Sequence, residues 1–395
     1  MSVRSLDELI QSAPGVAGRA VFVRADLNVP LKDGVIGDDT RIRASLPTLR
    51  RLVDSGARVI VASHLGRPKG KPNPAMSLAP VAARLSELLG RPVAFAADCV
   101  GPEAEKAACA LADGEVLVLE NLRFHAGETD NDEGFARGLA ALADAYVNDA
   151  FGTAHRAHAS TAGMVEHVET AVAGGLLQTE LDALAVALEP ERPFVCFLGG
   201  AKVSDKLGVL EALAPHADVL AVGGAMAYTF LAAKGEDVGL SLVEPDRIED
   251  AKRVMDAAAK SGRLLLLPTD HVVASAFDAP DTAETVNAIP ADKMGLDIGP
   301  ETAARYGEAA ASARTILWNG PMGVFETPAF AGGTRAVAQA VADSAATSIV
   351  GGGDSLAAIN QAGLGDRIGH LSTGGGASLE FVQGLVLPGI AALDR

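Results

Sequence analysis

The chain has 395 residues, of which 49% are hydrophobic and 21% are charged. This composition excludes intrinsic disorder, and the length fits two domains of ordinary size. The 50 acidic and 33 basic residues give a formal net charge of −17. Such a charge repels nucleic acid and anionic membranes, so we expect neither as a partner.

Charge and cysteine usage narrow the class further. Residues 1–173 carry a net charge of −4, whereas residues 174–395 carry −13. The three cysteines, Cys99, Cys109 and Cys196, form no C-x-x-C pair, so their spacing indicates neither a disulfide framework nor a zinc site. The sequence shows no secretory signal, and no apolar run reaches the roughly 18 residues of a membrane span. We therefore expect a cytoplasmic protein.

Short apolar runs alternate with longer Ala- and Leu-rich stretches from end to end. The runs are apolar at consecutive positions, as strands of a parallel sheet must be when helices cover both faces. We therefore predict an α/β fold with two doubly wound parallel-sheet domains. The predicted strands cover residues 20–24, 59–63, 93–97, 116–120 and 146–149 in the first half, and 194–198, 219–223, 264–268, 315–318 and 348–351 in the second.

A helix is predicted between the two sets of strands, over residues 174–189. Leu177, Leu181, Leu184 and Leu188 recur there at helical spacing, and Pro190 follows. The pattern predicts domains at residues 1–173 and 190–376, joined by this interdomain helix with a hinge.

Polar loops follow the predicted strands of the first half. In open α/β sheets, ligands bind beyond the carboxyl ends of the strands, so these loops should hold the binding residues. A single arginine there more often only solvates its loop, but several at equivalent positions favour a site for a small, multiply charged anion. The loops cover residues 24–28, 63–67, 120–124 and 148–156, with Arg41 in addition.

Glycine-rich loops follow the strands of the second half and predict phosphate cradles, since glycine lets backbone N–H groups approach phosphate closely. In the loop at residues 351–355, Asp354 could cap the next helix or hold Mg²⁺, and we favour the metal. Lys202 and Lys206 are four residues apart, which predicts one face of a helix start, either solvated or at the site. The loops cover residues 198–206, 222–225, 318–323, 350–355 and 371–376.

Taken in order, these segments resemble the phosphoglycerate kinase family through essentially the whole chain. The resemblance implies reversible phosphoryl transfer between 1,3-bisphosphoglycerate and Mg·ADP in glycolysis. It also implies Mg²⁺ as cofactor, small-molecule substrates as the partners, and a monomer. The segments that carry it are LNVP (27–30), SHLGRP (63–68), ENLRF (120–124), DAFGTAHR (149–156), GGAKV (199–203), WNGPMGVFE (318–326) and GGGD (351–354).

The resemblance further implies residue roles. The expected phosphoglycerate site comprises Asp26, Asn28, Arg41, His64, Arg67, Arg123 and Arg156. The expected nucleotide site comprises Lys206, Asn319, Glu326 at the ribose, Gly351, Gly352, Gly353, Asp354 at Mg²⁺, and Ser355. Stabilisation of the phosphoryl group in transfer is expected from Arg41, Lys202 and the backbone of Gly375 and Gly376. The family also returns its C-terminal segment, here residues 377–395, to the first domain.

Two other functions suit twin α/β domains. An NAD-dependent dehydrogenase would need the G-x-G-x-x-G fingerprint at a strand-to-helix turn, and the sequence lacks it, as it lacks a Walker motif. A two-lobed anion-binding protein would usually carry an export signal. A coupled assay for ATP formation from 1,3-bisphosphoglycerate separates all three.

Overall fold

The computed structural model describes residues 3–394, which fold into two compact units. The first unit extends to Leu181 and includes the segment from Val386, and the second is Asp182–Leu385. Among the described residues, no helix is long and apolar enough to cross a membrane.

Each of the ten predicted strands is present in the structure, with a first residue within one position and a last residue within two positions of the predicted bounds. The structure has further strands as well. In chain order, the strands are β1 (Ala20–Ala25), β2 (Leu31–Lys32), β3 (Val35–Ile36), β4 (Arg58–Ala62), β5 (Val93–Ala96), β6 (Val116–Leu119), β7 (Ala145–Asp149), β8 (Ala171–Ala173), β9 (Phe194–Leu198), β10 (Val219–Val222), β11 (Leu264–Leu266), β12 (His271–Ala274), β13 (Glu284–Val286), β14 (Met294–Ile298), β15 (Thr315–Asn319), β16 (Thr347–Gly351) and β17 (His370–Ser372).

The helices pack between and beside these strands, alternating with them along most of the chain. They are α1 (Leu6–Gln11), α2 (Thr40–Asp54), α3 (Ala79–Leu89), α4 (Gly101–Cys109), α5 (Ala126–Thr129), α6 (Glu133–Ala140), α7 (Gly175–Leu188), α8 (Leu207–Leu213), α9 (Met226–Ala233), α10 (Ile248–Lys260), α11 (Pro300–Ser312), α12 (Gly332–Asp343), α13 (Gly353–Gln361), α14 (Gly376–Val382) and α15 (Pro388–Ala391).

The first unit is built on a parallel six-stranded sheet in the order β5-β6-β4-β1-β7-β8. Its central strands are buried almost completely, which explains their apolar sequences. Helix α2 buries Ile42, Leu46 and Leu49 on one face, at the spacing that an amphipathic helix requires. Because the strands are parallel, the loops after β1, β4, β6 and β7 all leave from the same edge.

The second unit repeats the architecture with the strand order β11-β10-β9-β15-β16-β17, again all parallel. Trp318 is fully buried in β15, and its indole Nε1 donates to the carbonyl of Gly320 at 2.8 Å. This bond fixes the turn that leaves the strand. The predicted fold of two doubly wound parallel sheets is confirmed.

The second unit also contains a small antiparallel sheet, in the order β13-β12-β14, that was not predicted from the sequence. The hairpin β2–β3 and the edge strands β8 and β17 were not predicted either. Strand β13 has only three residues, none of them buried. Strands β8 and β17 are equally short, whereas β12 and β14 are largely buried and were missed although they contain apolar residues.

Helix α7 matches the helix predicted at residues 174–189, and the division between the units falls within it, after Leu181. Of the segment predicted to return to the first domain, residues 386–394 belong to the first unit and residues 377–385 to the second, and residue 395 lies outside the described residues. In the first unit, Gly389 donates from its N–H to the Ala154 carbonyl at 2.8 Å, and its own carbonyl accepts from Asn148 Nδ2 at 3.1 Å.

Candidate active site

Asp26 and Arg41 form an ion pair in the first unit. Asp26 directly follows β1 and is 8% exposed, while Arg41 is the second residue of α2. The Oδ2 atom of Asp26 accepts from Arg41 Nη1. Its Oδ1 atom is buried and accepts no hydrogen bond from any described residue. Oδ1 is therefore an acceptor that a hydroxyl group of a ligand can satisfy.

His64 lies just beyond the end of β4 and is held by Arg24, a buried arginine from the first predicted binding loop that was not itself predicted as a site residue. Arg24 Nη2 lies 3.2 Å from His64 Nδ1, and Arg24 Nε donates to Ser160 Oγ at 2.8 Å. Ser160 Oγ in turn donates to the buried Glu128 carboxylate at 2.7 Å. Burial, reinforced by the charges of Arg24 and Arg123, holds the pKa of His64 well below its usual value of 6.5. The imidazole is therefore neutral at physiological pH.

Three of the predicted arginines line one pocket of about 400 Å³ in the first unit. They are Arg67, Arg123 and Arg156, and Lys69 lines it as well. No carboxylate of the described residues lies within 4 Å of any of these four side-chain charges. Burial, together with the neighbouring charges of Arg24 and Arg156, lowers the pKa of Arg123 to about 10. A cluster of unpaired cations is stabilised by an anion, and guanidinium forks suit phosphate.

Hydrogen bonds within the loops hold the arginine pocket in shape. Asn28 Oδ1 accepts from the N–H of Gly66 at 2.8 Å, and Arg123 Nη1 donates to the Gly66 carbonyl at 3.1 Å. The loop after β4 is therefore tied to the loops after β1 and β6. Six of the seven residues predicted for phosphoglycerate lie in loops that follow strands of this one sheet, and Arg41 lies at the start of α2, after the hairpin β2–β3.

Glycine turns of the second unit pack so closely that larger residues cannot replace them. A Cβ atom on Gly320, whose φ is +94°, would lie 2.2 Å from the Gly199 carbonyl oxygen, and one on Gly224 would lie 2.5 Å from the Gly200 nitrogen. The turns after β9, β10 and β15 thus meet backbone to backbone, at the carboxyl edge of the sheet.

Lys206 and Asn319 lie together at this edge. Lys206 Nζ donates to both the backbone carbonyl, at 3.0 Å, and the side-chain oxygen of Asn319. Burial lowers the pKa of Lys206 to about 8, against the opposing effect of the nearby Asp354 carboxylate. Ser355 is fully buried, and its Oγ accepts from the N–H of Gly320 at 2.6 Å. Ser355 therefore holds the turn next to Asn319.

A cavity of about 680 Å³ opens beside these turns and is lined by Glu326 and Asp354. Its remaining walls are mostly apolar side chains and glycine backbone, including Leu242, Phe277 and Leu296. A volume of this size accommodates a nucleoside-sized ligand. The two carboxylates supply polar groups at an otherwise apolar surface.

The structure excludes the less favoured alternative for Asp354, and the prediction that Lys202 and Lys206 share a helix face is wrong. Asp354 is not the cap of its helix: Gly352, with a φ of +93°, occupies the N-cap position of α13, and no side chain caps the helix. Lys202 and Lys206 do not share a helix face, because α8 begins only at Leu207 and Lys202 lies in the preceding loop. The chain between Lys202 and Lys206 is a loop and not a helix, so a spacing of four residues does not place the two side chains on one face.

Gly375 and Gly376 lie at the start of α14 in the second unit. Gly375 occupies the N-cap position with a φ of +55°, a conformation that glycine adopts readily. Gly351, Gly352 and Gly353 form the strand-to-helix turn between β16 and α13.

The comparisons with known proteins agree with this geometry. A family model described as phosphoglycerate kinase matches residues 10–385. A phosphoglycerate kinase of Moorella thermoacetica is 58% identical over 380 residues, covering 95% of this chain and 96% of that protein. One of Clostridium novyi is 56% identical over 385 residues, covering 96% of each.

Solved structures give the same result. A phosphoglycerate kinase structure from Coxiella burnetii matches with a TM-score of 0.90 at 43% identity, covering 100% of this chain and 99% of that one. One from Pyrococcus horikoshii matches with a TM-score of 0.85 at 36% identity, covering 99% and 98%. The chain therefore belongs to the phosphoglycerate kinase family, the glycolytic phosphotransferases whose acceptor is a carboxyl group.

Proposed function

We propose that this chain catalyses reversible phosphoryl transfer between 1,3-bisphosphoglycerate and Mg·ADP, giving 3-phosphoglycerate and Mg·ATP. The observation that carries the proposal is the pocket of unpaired cations formed by Arg67, Arg123 and Arg156. A three-carbon acid with a phosphate at one end needs such a pocket for that phosphate. The cytoplasm, where glycolytic substrates occur, is the proposed location.

The rest of the phosphoglycerate site follows from the acceptors and donors around this pocket. The free Oδ1 of Asp26 suits the hydroxyl group of the glycerate, since a buried carboxylate oxygen requires a donor. Arg41, held by Asp26, presents a partly exposed guanidinium for the carboxyl end, where the phosphoryl group is transferred. Asn28 and His64 complete the polar lining.

The nucleotide is proposed to bind in the cavity lined by Glu326 and Asp354. Glu326 would accept from the ribose hydroxyls, while the amide-rich turns at Gly351–Gly353 and the ammonium of Lys206 face the phosphates. Lys206 already donates to Asn319, so both side chains are positioned before the nucleotide binds.

The residues present fit a magnesium ion brought by the nucleotide. Asp354 is exposed, lines the cavity and forms no ion pair within 4 Å among the described residues. Mg²⁺ prefers carboxylate oxygens and usually binds one or two of them together with substrate phosphates. The ion would neutralise charge on those phosphates, and Asp354 would hold it.

The proposed mechanism needs no general base. The attacking group is a carboxylate or a nucleotide phosphate, and both are ionised near neutral pH. The chain must instead stabilise charge on the transferred group, for which we propose Arg41, Lys202 and the N–H groups of Gly375 and Gly376. Because the two substrates bind to different units, transfer requires the units to close until the reacting atoms are about 3–3.5 Å apart.

The test is formation of ATP from 1,3-bisphosphoglycerate and Mg·ADP by the purified chain, in an assay that follows both products. We expect activity that is lost with EDTA and restored by Mg²⁺. The test variant is Arg123→Met in the proposed site. Its matched control is Arg137→Met on the exposed face of α6, where Arg137 pairs with Glu133. Equal activity of the two variants, or no ATP formation by the wild type, would contradict the proposal.

A further inference from the structure

A second cluster of polar side chains lies at the carboxyl edge of the first sheet, outside the proposed phosphoglycerate site. Asp98 and Cys99 follow β5, and His125 follows the neighbouring strand β6. One ligand atom of each of these three residues lies within 4.8 Å of the others. Among the described residues, this is the group of His, Cys and acidic side chains whose ligand atoms converge in this way.

From this convergence we infer a binding site for a borderline-soft divalent cation, Zn²⁺ in the first instance, formed by Asp98, Cys99 and His125. Thiolate, imidazole and carboxylate are the three ligand types that zinc takes in proteins. Three protein ligands leave a fourth tetrahedral position for water. Calcium and magnesium, which prefer oxygen ligands alone, are disfavoured by the same set.

The side chains are already oriented toward one another. His125 Nε2 lies 2.7 Å from Asp98 Oδ1, and the same oxygen accepts from the backbone N–H of Cys99 at 2.7 Å. The His125 ring also packs on Phe135, with centroids 5.3 Å apart. Ligand atoms of a tetrahedral zinc ion lie about 3.5 Å apart, so binding requires the 2.7 Å contact between Asp98 and His125 to open and the three ligand atoms, now within 4.8 Å of one another, to adjust around the ion.

Access to the site suits a cation. The side chains of Asp98 and His125 are 41% and 35% exposed, whereas Cys99 lies buried beneath them. Zinc binds the thiolate form of cysteine, so binding releases the thiol proton of Cys99 to solvent as the sulfur–metal bond forms.

The spacing of cysteines in the sequence could not indicate this site. The site contains a single cysteine, and its histidine ligand comes from a different loop. The inference is also independent of the kinase proposal, since none of its three ligands is assigned to substrate.

Cobalt(II) added to the EDTA-treated full chain tests the site, because a thiolate ligand gives Co²⁺ a charge-transfer band in the near ultraviolet. We expect a saturable band at one equivalent, which Zn²⁺ abolishes by displacement. Calorimetry of Zn²⁺ in two buffers of different ionisation enthalpy should show release of about one proton per ion.

Variants identify the ligands. Cys99→Ser should remove the band, and His125→Gln should weaken Co²⁺ binding by at least about tenfold. Cys109→Ser, at an exposed cysteine, should leave the band unchanged. If Cys99→Ser fails to fold, the partly exposed His125→Gln carries the test. Absence of the band, its loss in Cys109→Ser, or wild-type affinity in His125→Gln would overturn the inference.

Discussion

Arg24 Nη2 lies 3.2 Å from His64 Nδ1, at the buried end of the first sheet. Since a guanidinium only donates, Nδ1 must accept, and the neutral ring carries its proton on Nε2. The side-chain amide of glutamine can reproduce a donor at the Nε2 position, whereas that of asparagine reaches only the Nδ1 position. This geometry leaves the Nε2–H of His64 as a donor, and we propose that it donates to an anionic ligand.

We therefore expect His64→Gln and His64→Asn to differ. A hydrogen bond to a charged group contributes about 1.5–3 kcal/mol, so His64→Asn should raise the KM for 3-phosphoglycerate by about tenfold or more. His64→Gln should remain within about threefold of the wild type. Steady-state kinetics for both substrates checks this, and equal defects in the two variants would exclude the donor role.

Asp149 gives a prediction on stability. It lies fully buried at the end of β7, where its Oδ1 accepts from the N–H of Leu176 at 2.8 Å in the first turn of α7. Burial raises the pKa of Asp149 to about 6, although hydrogen bonds from Thr48, Leu176 and Leu177 act to lower it. Between about pH 4 and 6, the folded state thus holds a proton that the unfolded chain has lost. The free energy of unfolding of the wild type therefore falls as the pH rises across this range, and the stabilising effect of the protonated carboxyl group is lost above about pH 6.

Asp149→Asn keeps the acceptor and cannot ionise. We expect its unfolding free energy, relative to that of the wild type, to increase between about pH 4 and 6 by about 3 kcal/mol and then to level off. Constant packing effects of the substitution cancel in this comparison across pH. Urea unfolding followed by circular dichroism provides the measurement, and a difference independent of pH would contradict it.

The extent to which the sequence predicts the structure depends on how local each signal is. Strands such as β1 and β9 were predictable because consecutive apolar residues require burial on both faces. Arg67, Arg123 and Arg156 were predictable as a group because parallel topology brings the ends of neighbouring strands together. In the antiparallel sheet, β13 has three residues, none of them buried, and β14 is largely buried but carries Asp297 between its apolar residues, so neither strand shows such a run.

The support behind the site was not predictable in the same way. Arg24 lies at the boundary of the predicted strand at residues 20–24 and the predicted loop at residues 24–28, and in the structure it belongs to β1. Its partners Ser160 and Glu128 come from segments far away in the chain. Only the folded structure shows that one buried network joins them to His64. Likewise, Gly352 takes the N-cap position of α13 with a positive φ. The sequence alone did not show that Gly352, and not Asp354, would occupy that position.

Lys206 should make nucleotide affinity depend on pH. Burial lowers its pKa to about 8, so its ammonium loses its charge at mildly alkaline pH. A neutral amine attracts phosphates less, and we expect the KM for Mg·ADP to rise as the pH passes about 8. Lys206→Arg, which remains charged, should abolish this rise, and Lys206→Met should show a high KM throughout. The same alkaline rise in Lys206→Arg would assign it to another group.

Arg41 is proposed to stabilise charge on the transferred phosphoryl group. Arg41→Ala should lower kcat by about 10² to 10⁵, the range found for lost oxyanion donors and arginine fingers. Arg43→Ala is the matched control on the same helix, since Arg43 pairs with Asp39 and is largely exposed. We expect it to retain wild-type kcat. A loss smaller than about tenfold in Arg41→Ala would remove Arg41 from the catalytic residues.

Asp354 is proposed to bind the metal of the nucleotide and to have no part in binding phosphoglycerate. Its carboxylate lines the cavity of the second unit without capping α13, so its removal should spare the helix but weaken the hold on the metal. We expect Asp354→Ala to raise the KM for Mg·ADP by at least about tenfold, as the loss of one hydrogen-bonded or coordinated charge implies. Binding of 3-phosphoglycerate, measured by calorimetry, should be unchanged because its proposed site belongs to the first unit. Asp366→Asn, an exposed carboxylate beyond α13, serves as the control and should match the wild type. Weaker binding of 3-phosphoglycerate with an unchanged nucleotide KM would reverse the assignment, because Asp354 would then act on the other substrate.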